Sequence, residues 1–439
     1  MSSSEKNGGS HPKNHNNNNE TANNEEQQRQ QHPYYILTPK AIQNLPNYKY
    51  NGVDRSLIYK FILSPLASFL VNNFTPSSLA PNTITLFGLV LMFASYLNMY
   101  YHCPTLEHCS VQNDTTIPNW IFLVNGIAIL CYQTLDNMDG KQARKTNSSS
   151  PLGLLFDHGC DAINSIFGSV TWINALGLII LPEYMVQIWI MVFIPMFVFY
   201  VSTWEEYYTH KMDLPWINGP SEGLLIGASV NLITWWYGRS WWHGHDVFTF
   251  ISTFLPPNVL DIITQACQQI GILHPIRNYD MIIFATILSA VREVTIKVKD
   301  IVQVYGIKTI KKLLPMVVLM VWPILIVHSD SYVFERNERW LFHLVALLFV
   351  EMVTTLMLNH TTGEEYKPFR KVLIPLFLLH YVVADGTLTY SAVDNYVKVY
   401  TTFMFIYMIG VSKVVISEIC DLLNIWCFDI VTPRKKKVD

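Results

Sequence analysis

Four aspartates stand close together in this chain, at spacings that suit shared helix faces. They are Asp136, Asp139, Asp157 and Asp161. The first pair is spaced i, i+3 and the second i, i+4, so on α-helices each pair lies on one face. Both pairs adjoin long apolar segments, where uncompensated carboxylates are costly. Hard divalent cations with oxygen ligands would neutralise them, and two such ions can clamp a phosphoryl group. We therefore predict that all four aspartates are metal ligands.

Three residues between these pairs suit phosphate binding. Gly140 and Gly153 have no side chains, so a phosphate or a neighbouring helix can approach closely. Arg144 can bind two phosphate oxygens at once through its guanidinium. The alternative for Arg144 is a membrane anchor, a role that we consider equally suitable for nearby Lys141.

These residues together resemble the signature of the CDP-alcohol phosphotransferases, D-x2-D-G-x2-A-R-x8-G-x3-D-x3-D. Every fixed position is present between Asp136 and Asp161. The surrounding sequence, including Phe156-Asp-His-Gly-Cys-Asp161, is similar to the eukaryotic choline/ethanolamine phosphotransferase branch. The resemblance is specific there and at Ala80–Thr85, and it is mainly hydropathic over the second half of the chain.

The resemblance implies transfer of phosphocholine or phosphoethanolamine from CDP-choline or CDP-ethanolamine to diacylglycerol, giving a phospholipid and CMP. It implies two Mg²⁺ ions, with Mn²⁺ as a substitute, and a nucleotide contact for Asn82. An N-cap is the alternative role for Asn82. The resemblance also suggests His158 as the base that takes the proton of the acceptor alcohol. Asp161 is the rival base, and His158 could instead orient a metal ligand.

Composition indicates a membrane protein. Half of the 439 residues are apolar and 14% are charged, and several apolar runs approach twenty residues. The net charge of −3 gives no sign of a nucleic-acid partner. Residues 1–33 are rich in Asn, Gln, Ser and Glu, which predicts a disordered tail.

The predicted fold is an all-α polytopic membrane protein with about ten transmembrane helices. An amphipathic helix at 55–74 should lie in the interface, within a cytosolic segment at 34–79. The transmembrane phosphotransferase domain covers 80–428, and a basic tail covers 429–439. The spans are predicted near 82–101, 118–138, 152–181, 184–205, 222–238, 280–303, 313–328, 339–358, 372–384 and 397–419.

The Lys and Arg distribution predicts the orientation. Clusters of Lys and Arg follow the even-numbered predicted spans, whereas loops 102–117 and 240–276 contain no Lys or Arg. Both termini and the aspartates should therefore face the cytosol. Asn113 begins a glycosylation sequon in the first lumenal loop. The ending Lys436-Lys437-Val438-Asp439 resembles a dilysine retrieval signal of the endoplasmic reticulum, and a basic cluster that binds anionic lipids is the alternative.

Two other functions stay open. A relative of the same family could join CDP-diacylglycerol to a soluble alcohol, although ten spans count against it. A cation transporter could use the acids as a pathway, but it would predict internal repeats, and we find none. Glu222 could meet a cationic headgroup or act as an acid at a helix N-terminus. The headgroup, the acyl-chain preference, a homodimer and a Golgi location are left open.

Overall fold

The protein is described by a computed structural model of residues 34–105, 117–179, 184–269 and 276–434, apart from the side chains of residues 267 and 268. Three sequence predictions lie outside these residues: the disordered tail 1–33, the sequon at Asn113, and the retrieval signal at Lys436 and Lys437.

Helices make up almost all of the described structure. In chain order they are α1 (Pro39–Asn44), α2 (Ser64–Asn73), α3 (Pro81–His102), α4 (Trp120–Lys145), α5 (Pro151–Ala175), α6 (Met185–Thr209), α7 (Leu224–Tyr237), α8 (Asp246–Ser252), α9 (Pro257–Gln269), α10 (Asn278–Tyr305), α11 (Leu314–Ser329), α12 (Ser331–Thr362), α13 (Ile374–Asp385) and α14 (Tyr390–Leu423). Shorter 3₁₀ or π turns cover Leu45–Asn47, Tyr59–Leu63, Gly219–Gly223, Arg239–His243, Ile307–Leu313 and Lys371–Leu373. Two short strands, β1 (Gly52–Asp54) and β2 (Met212–Leu214), pair in parallel.

The all-α polytopic fold is confirmed, and each of the ten predicted spans coincides with a helix over most of its described length. Within the described residues, six helical segments are long and apolar enough to cross a membrane: Pro81–His102, Trp120–Lys145, Met185–Thr209, Ile307–Ser329, Ser331–Thr362 and Tyr390–Leu423. That the chain crosses the membrane ten times stays a prediction. The predicted interfacial segment is also helical, as a π turn followed by α2, and it exposes Phe61 and Phe69.

Close helix contacts fix the frame that carries the aspartates. Helix α3 packs against α4 and α5, and α7 packs against the same two helices. A Cβ on Gly126 of α4 would lie 2.9 Å from Leu232 of α7. A Cβ on Gly227 of α7 would lie only 2.1 Å from Trp172 of α5. Glycine is therefore required at both crossings, because any side chain would push the helices apart.

The start of α5 is fixed by its own sequence. Ser150 is the N-cap, and its hydroxyl accepts a hydrogen bond from the Gly153 N–H at 3.1 Å. Pro151 occupies the first helical position, where its missing N–H costs nothing. These residues determine where α5 begins. They therefore also determine the positions of Asp157 and Asp161 along the helix axis.

Both ends of the described chain meet beside this point. The Glu418 carboxylate of α14 accepts hydrogen bonds from the backbone N–H groups of Tyr35 at 2.6 Å and Leu37 at 2.9 Å. Leu37 belongs to a buried cluster with Leu152 of α5 and Ile419 of α14. The segment before α1 and the end of α14 are therefore anchored next to the first turn of α5.

The orientation of α4 can be tested by labelling. In sealed microsomes, a Lys141→Cys variant should react with an impermeant maleimide from the cytosolic side. An Asn113→Cys variant should react only after the vesicles are opened, since α4 separates the two positions. The unsubstituted chain, whose thiols include Cys131, supplies the background. Protection of position 141 in sealed vesicles would invert the predicted topology.

Candidate active site

Three of the four aspartates form one cluster. Asp136 projects from α4, and Asp157 and Asp161 project from α5. One carboxylate oxygen from each lies within 4.8 Å of the others. The helical spacing predicted from the sequence therefore brings one member of the first pair together with both members of the second, across the α4–α5 interface.

The cluster fits a divalent cation. All of its donors are carboxylate oxygens, the ligands that Mg²⁺ prefers. Asp157 Oδ1 is buried and has no hydrogen-bond partner among the described residues. A buried anionic oxygen without a donor is costly unless a cation or a proton compensates it. These residues could therefore hold a metal ion.

Asp139 occupies a different position from the other three. Its Oδ2 accepts a hydrogen bond from the Thr85 hydroxyl of α3. Asp139 still interacts electrostatically with Asp157 and Asp161. It therefore borders the cluster and is held in place by α3, so its role as a metal ligand stays a prediction.

Two supporting hydroxyls were not predicted from the sequence. One is Thr85, and the other is Tyr132, whose phenol donates to Asp161 Oδ1. Such partners orient metal ligands. Tyr132 precedes Asp136 by four residues and so shares its helix face, which is the signal that could have identified it.

Arg144 lies beside Gly140 at the end of α4. A Cβ on Gly140 would lie 3.6 Å from Arg144 Nη1, so the guanidinium folds back along the helix toward the aspartates. Arg144 is exposed and has no ion-pair or hydrogen-bond partner within the part of the chain described here. By contrast, Lys141 donates to the Ser64 hydroxyl of α2 at 2.9 Å. The Arg144 guanidinium is therefore free to bind a ligand, whereas the Lys141 ammonium is engaged within the protein, and both predicted roles stay predictions.

Asn82 and Gly153 are neighbours across the α3–α5 interface. A Cβ on Gly153 would lie 3.5 Å from Asn82 Oδ1. Ala80 is the N-cap residue of α3, and the Asn82 side chain makes no capping bond. The Asn82 amide instead donates to the Cys427 carbonyl at 3.0 Å. The N-cap alternative for Asn82 is therefore wrong, and its nucleotide contact stays a prediction.

The His158 side chain lies against α6. It is 7% exposed, and its ring meets Phe199 of α6 edge-on at 6.2 Å between centroids. Its Nδ1 atom has no hydrogen-bond partner among the described residues. Consecutive residues on a helix differ by about 100°, so His158 borders the space between α5 and α6 while Asp157 faces α4.

A second polar group near the site was not predicted. Glu206 of α6 lies 3.7 Å from His360 of α12, and His360 Nε2 lies 3.0 Å from the Tyr48 hydroxyl. Desolvation raises the pKa of the neighbouring Tyr50 phenol, and the carboxylates of Glu206, Asp157 and Asp136 raise it further. An acid inside the apolar run of α6 was the available signal.

Glu222 acts as a structural acid in this structure. Its carboxylate accepts hydrogen bonds from the Ser56 hydroxyl and, at 3.0 Å, from the Asn218 backbone N–H. This arrangement ties the turn before α7 to the segment that follows β1. It matches the helix N-terminal role that the sequence left open.

Comparison with known proteins decides the family. A sequence model described as CDP-alcohol phosphatidyltransferase matches residues 78–251. The uncharacterized CDP-alcohol phosphatidyltransferase class-I family protein 3 of Dictyostelium discoideum is 31% identical over 413 residues, which covers 90% of this chain and 98% of that protein. This chain belongs to the CDP-alcohol phosphatidyltransferase family.

Relatives with more specific names also match this family member. Choline/ethanolaminephosphotransferase 1 of Arabidopsis thaliana is 39% identical over 202 residues, 46% of this chain and 48% of that protein. The yeast Saccharomyces cerevisiae protein of the same name is 33% identical over 303 residues, 66% of this chain and 71% of that protein. The predicted membership of the CDP-alcohol phosphotransferases is thus confirmed.

Arg144→Lys should raise the KM for the CDP-alcohol substrate about tenfold. Lysine keeps the charge but cannot make a bidentate contact, and a hydrogen bond to a charged group contributes about 1.5–3 kcal/mol. Steady-state kinetics would measure this, with Lys141→Gln as the control that should stay within about twofold of wild type. Equal losses in the two variants would instead support an anchoring role for Arg144.

Proposed function

We propose that this protein transfers phosphocholine or phosphoethanolamine from CDP-choline or CDP-ethanolamine to diacylglycerol, releasing CMP. The observation that carries the proposal is the cluster of Asp136, Asp157 and Asp161 with the exposed Arg144 guanidinium close by. This arrangement suits a diphosphate in which one phosphoryl group is transferred. The names of the plant and yeast relatives support the aminoalcohol headgroups.

The four aspartates would hold two divalent ions, which we propose to be Mg²⁺ with Mn²⁺ as a substitute. When bound, such ions neutralise charge on the diphosphate and on the departing CMP. Tyr132 and Thr85 keep two of the carboxylates oriented through their hydroxyl groups.

The remaining site residues have separate roles in the proposed reaction. Arg144 binds phosphate oxygens of the CDP-alcohol, and Gly140 leaves room for the guanidinium beside the helix. His158 accepts the proton of the diacylglycerol hydroxyl as that oxygen attacks the β-phosphorus, forming the new P–O bond as the bond to CMP breaks. The burial of His158 between apolar helices suits contact with a lipid alcohol.

The reaction should take place at the cytosolic surface of the endoplasmic reticulum membrane. A water-soluble nucleotide and a lipid alcohol can meet only at an interface, and the positive charges of Arg144 and Lys145 in the last turn of α4 support a cytosolic position for this helix end. We propose the same side for both termini.

One assay tests the proposal. Purified protein with Mg²⁺ and diacylglycerol should convert radiolabelled CDP-choline or CDP-ethanolamine to phospholipid, with CMP formed in equal amount. CDP-diacylglycerol with inositol serves as the comparison reaction. Product in the comparison alone would favour the other donor class. Movement of choline without CMP release would indicate a transporter.

A further inference from the structure

The chain after α14 folds back as a defined segment, which we call the hook and which covers residues 424–434. Asn424 ends α14 in the left-handed conformation with φ of 55°, a usual way to stop a helix. Asp429 then closes a turn by accepting from the N–H groups of Val431 at 2.8 Å and Thr432 at 3.0 Å. The hook is therefore built by its own sequence.

Arg434 clamps the end of the hook onto α14. Its guanidinium pairs with Asp421 and donates to the Ile425 carbonyl at 3.0 Å. It also stacks over the Trp426 ring, 4.8 Å from the centroid. These contacts attach the last residue of the hook to the end of α14. They therefore hold the hook in place beside that helix.

The hook touches the candidate active site at two points. The Cys427 carbonyl accepts the hydrogen bond from the Asn82 amide at the start of α3. The Phe428 ring meets Phe156 edge-on, with 5.5 Å between centroids and an angle of 83°. Phe156 directly precedes the cluster residue Asp157. The hook thus bridges the first turn of α3 and the second turn of α5.

This position lies where the nucleoside of a CDP-alcohol must go. If the diphosphate binds at the aspartates, the polar cytidine has to extend toward water, which means toward the start of α5. Gly153 precedes Asp157 by four residues, or about 6 Å along the helix axis. The Asn82 oxygen lies at that level, 3.5 Å from where a Cβ on Gly153 would be, and the hook contacts Asn82 through the Cys427 carbonyl.

Phe428 has the surface that a nucleobase needs. Its side chain is 48% exposed although one edge is held against Phe156. Trp426 is similarly exposed, but the Arg434 guanidinium already covers one of its faces. Base–aromatic stacking contributes about 1–3 kcal/mol per base, and a ring held in place loses little entropy on binding.

We propose that the hook forms one wall of the nucleotide site, in which Phe428 stacks on the pyrimidine base and the Cys427 carbonyl orients Asn82. The proposal rests on the proposed function for its ligand, a cytidine nucleotide. The match to the family sequence model ends at residue 251, so the hook lies outside the shared domain. It would add a contact to the base that the aspartates and Arg144 do not provide.

Calorimetric titration of the purified protein with CMP in the presence of Mg²⁺ tests the proposal directly. Phe428→Ala and Phe428→Leu should each raise the Kd for CMP about tenfold, within the range expected for lost stacking. Phe428→Tyr should keep the wild-type Kd. Ribose 5-phosphate, which has no base, should bind all of these variants equally. Val431→Ala, a change at an exposed apolar residue of the same hook, is the matched control.

Several outcomes would overturn the inference. One is a wild-type Kd for CMP in Phe428→Ala. Another is a wild-type Kd in Phe428→Leu, because leucine keeps the packing against Phe156 and the variant should fold. Equal weakening of ribose 5-phosphate would show a structural effect only. Because binding is measured without turnover, base-dependent CMP binding in a protein that makes no phospholipid would reject the proposed reaction and leave the hook's role standing.

Discussion

Asp157→Asn should lower phospholipid synthesis by about a thousandfold or more. The substitution keeps the size of the side chain and removes the charge that a divalent ion needs. Metal stabilisation of a phosphoryl-transfer transition state amounts to several kcal/mol, and each 1.36 kcal/mol corresponds to a factor of ten in rate. Asp136→Asn and Asp161→Asn should behave alike, since all three oxygens lie within 4.8 Å of one another.

Metal binding should fail in the same variants. Electron paramagnetic resonance can count the Mn²⁺ ions bound to wild type and to each variant, which separates lost metal from lost folding. EDTA should stop the wild-type reaction, and Mg²⁺ or Mn²⁺ should restore it. Asp213→Asn is the matched control, because this aspartate forms ion pairs with Arg55 and Lys211 and is not part of the cluster. Near-normal turnover in Asp157→Asn would remove that residue from the set of essential ligands.

Asp139→Asn should lower phospholipid synthesis less than Asp157→Asn does. Its carboxylate is already engaged by the Thr85 hydroxyl, unlike Asp157 Oδ1, which has no hydrogen-bond partner among the described residues. The sequence treats the four aspartates as equivalent, whereas in the structure Asp136, Asp157 and Asp161 have oxygens within 4.8 Å of one another and Asp139 adjoins Asp157. A loss as large as that for Asp157→Asn would show that Asp139 is also a ligand.

The sequence predicts the site well where residues act through local spacing. Asp136 and Asp157 meet as expected because helical periodicity decides which face each residue occupies, and apolar segment length decides where helices run. The positions of Gly140 and Arg144 follow from the same helix, since residues four apart are neighbours. These features need no knowledge of how distant segments pack.

Contacts between distant segments could not be predicted in this way. Asn82 follows Pro81 and so has the sequence context of an N-cap residue. In the folded protein its side-chain amide instead donates a hydrogen bond to the carbonyl of Cys427, which is 345 positions away. The pairing of Glu206 with His360 likewise depends on how α6 meets α12. One sequence considered alone does not predict such pairs, because neither hydrophobic periodicity nor local propensity specifies which helices become neighbours.

His158→Ala should lower kcat by roughly 10²–10⁴-fold, the usual contribution of general-base catalysis, while the KM for the CDP-alcohol changes little. The structure supports this separation. His158 faces Phe199 and the space between α5 and α6, whereas the phosphate-binding residues lie on the α4 side. Its Nδ1 has no hydrogen-bond partner in the described part of the chain, which leaves this nitrogen free to accept a proton.

The reverse reaction provides a consistency check on this result. CMP and phosphatidylcholine should re-form CDP-choline with the same loss in His158→Ala, because both directions share one transition state and His158 must return the proton. His343→Gln is the matched control, since this partly buried histidine contacts the Tyr96 hydroxyl at 2.8 Å and is not part of the aspartate cluster. Turnover of His158→Ala within a few-fold of wild type would transfer the base role to Asp161. Selective loss in Asp161→Asn, with Mn²⁺ binding retained, would then identify that carboxylate as the group that takes the proton.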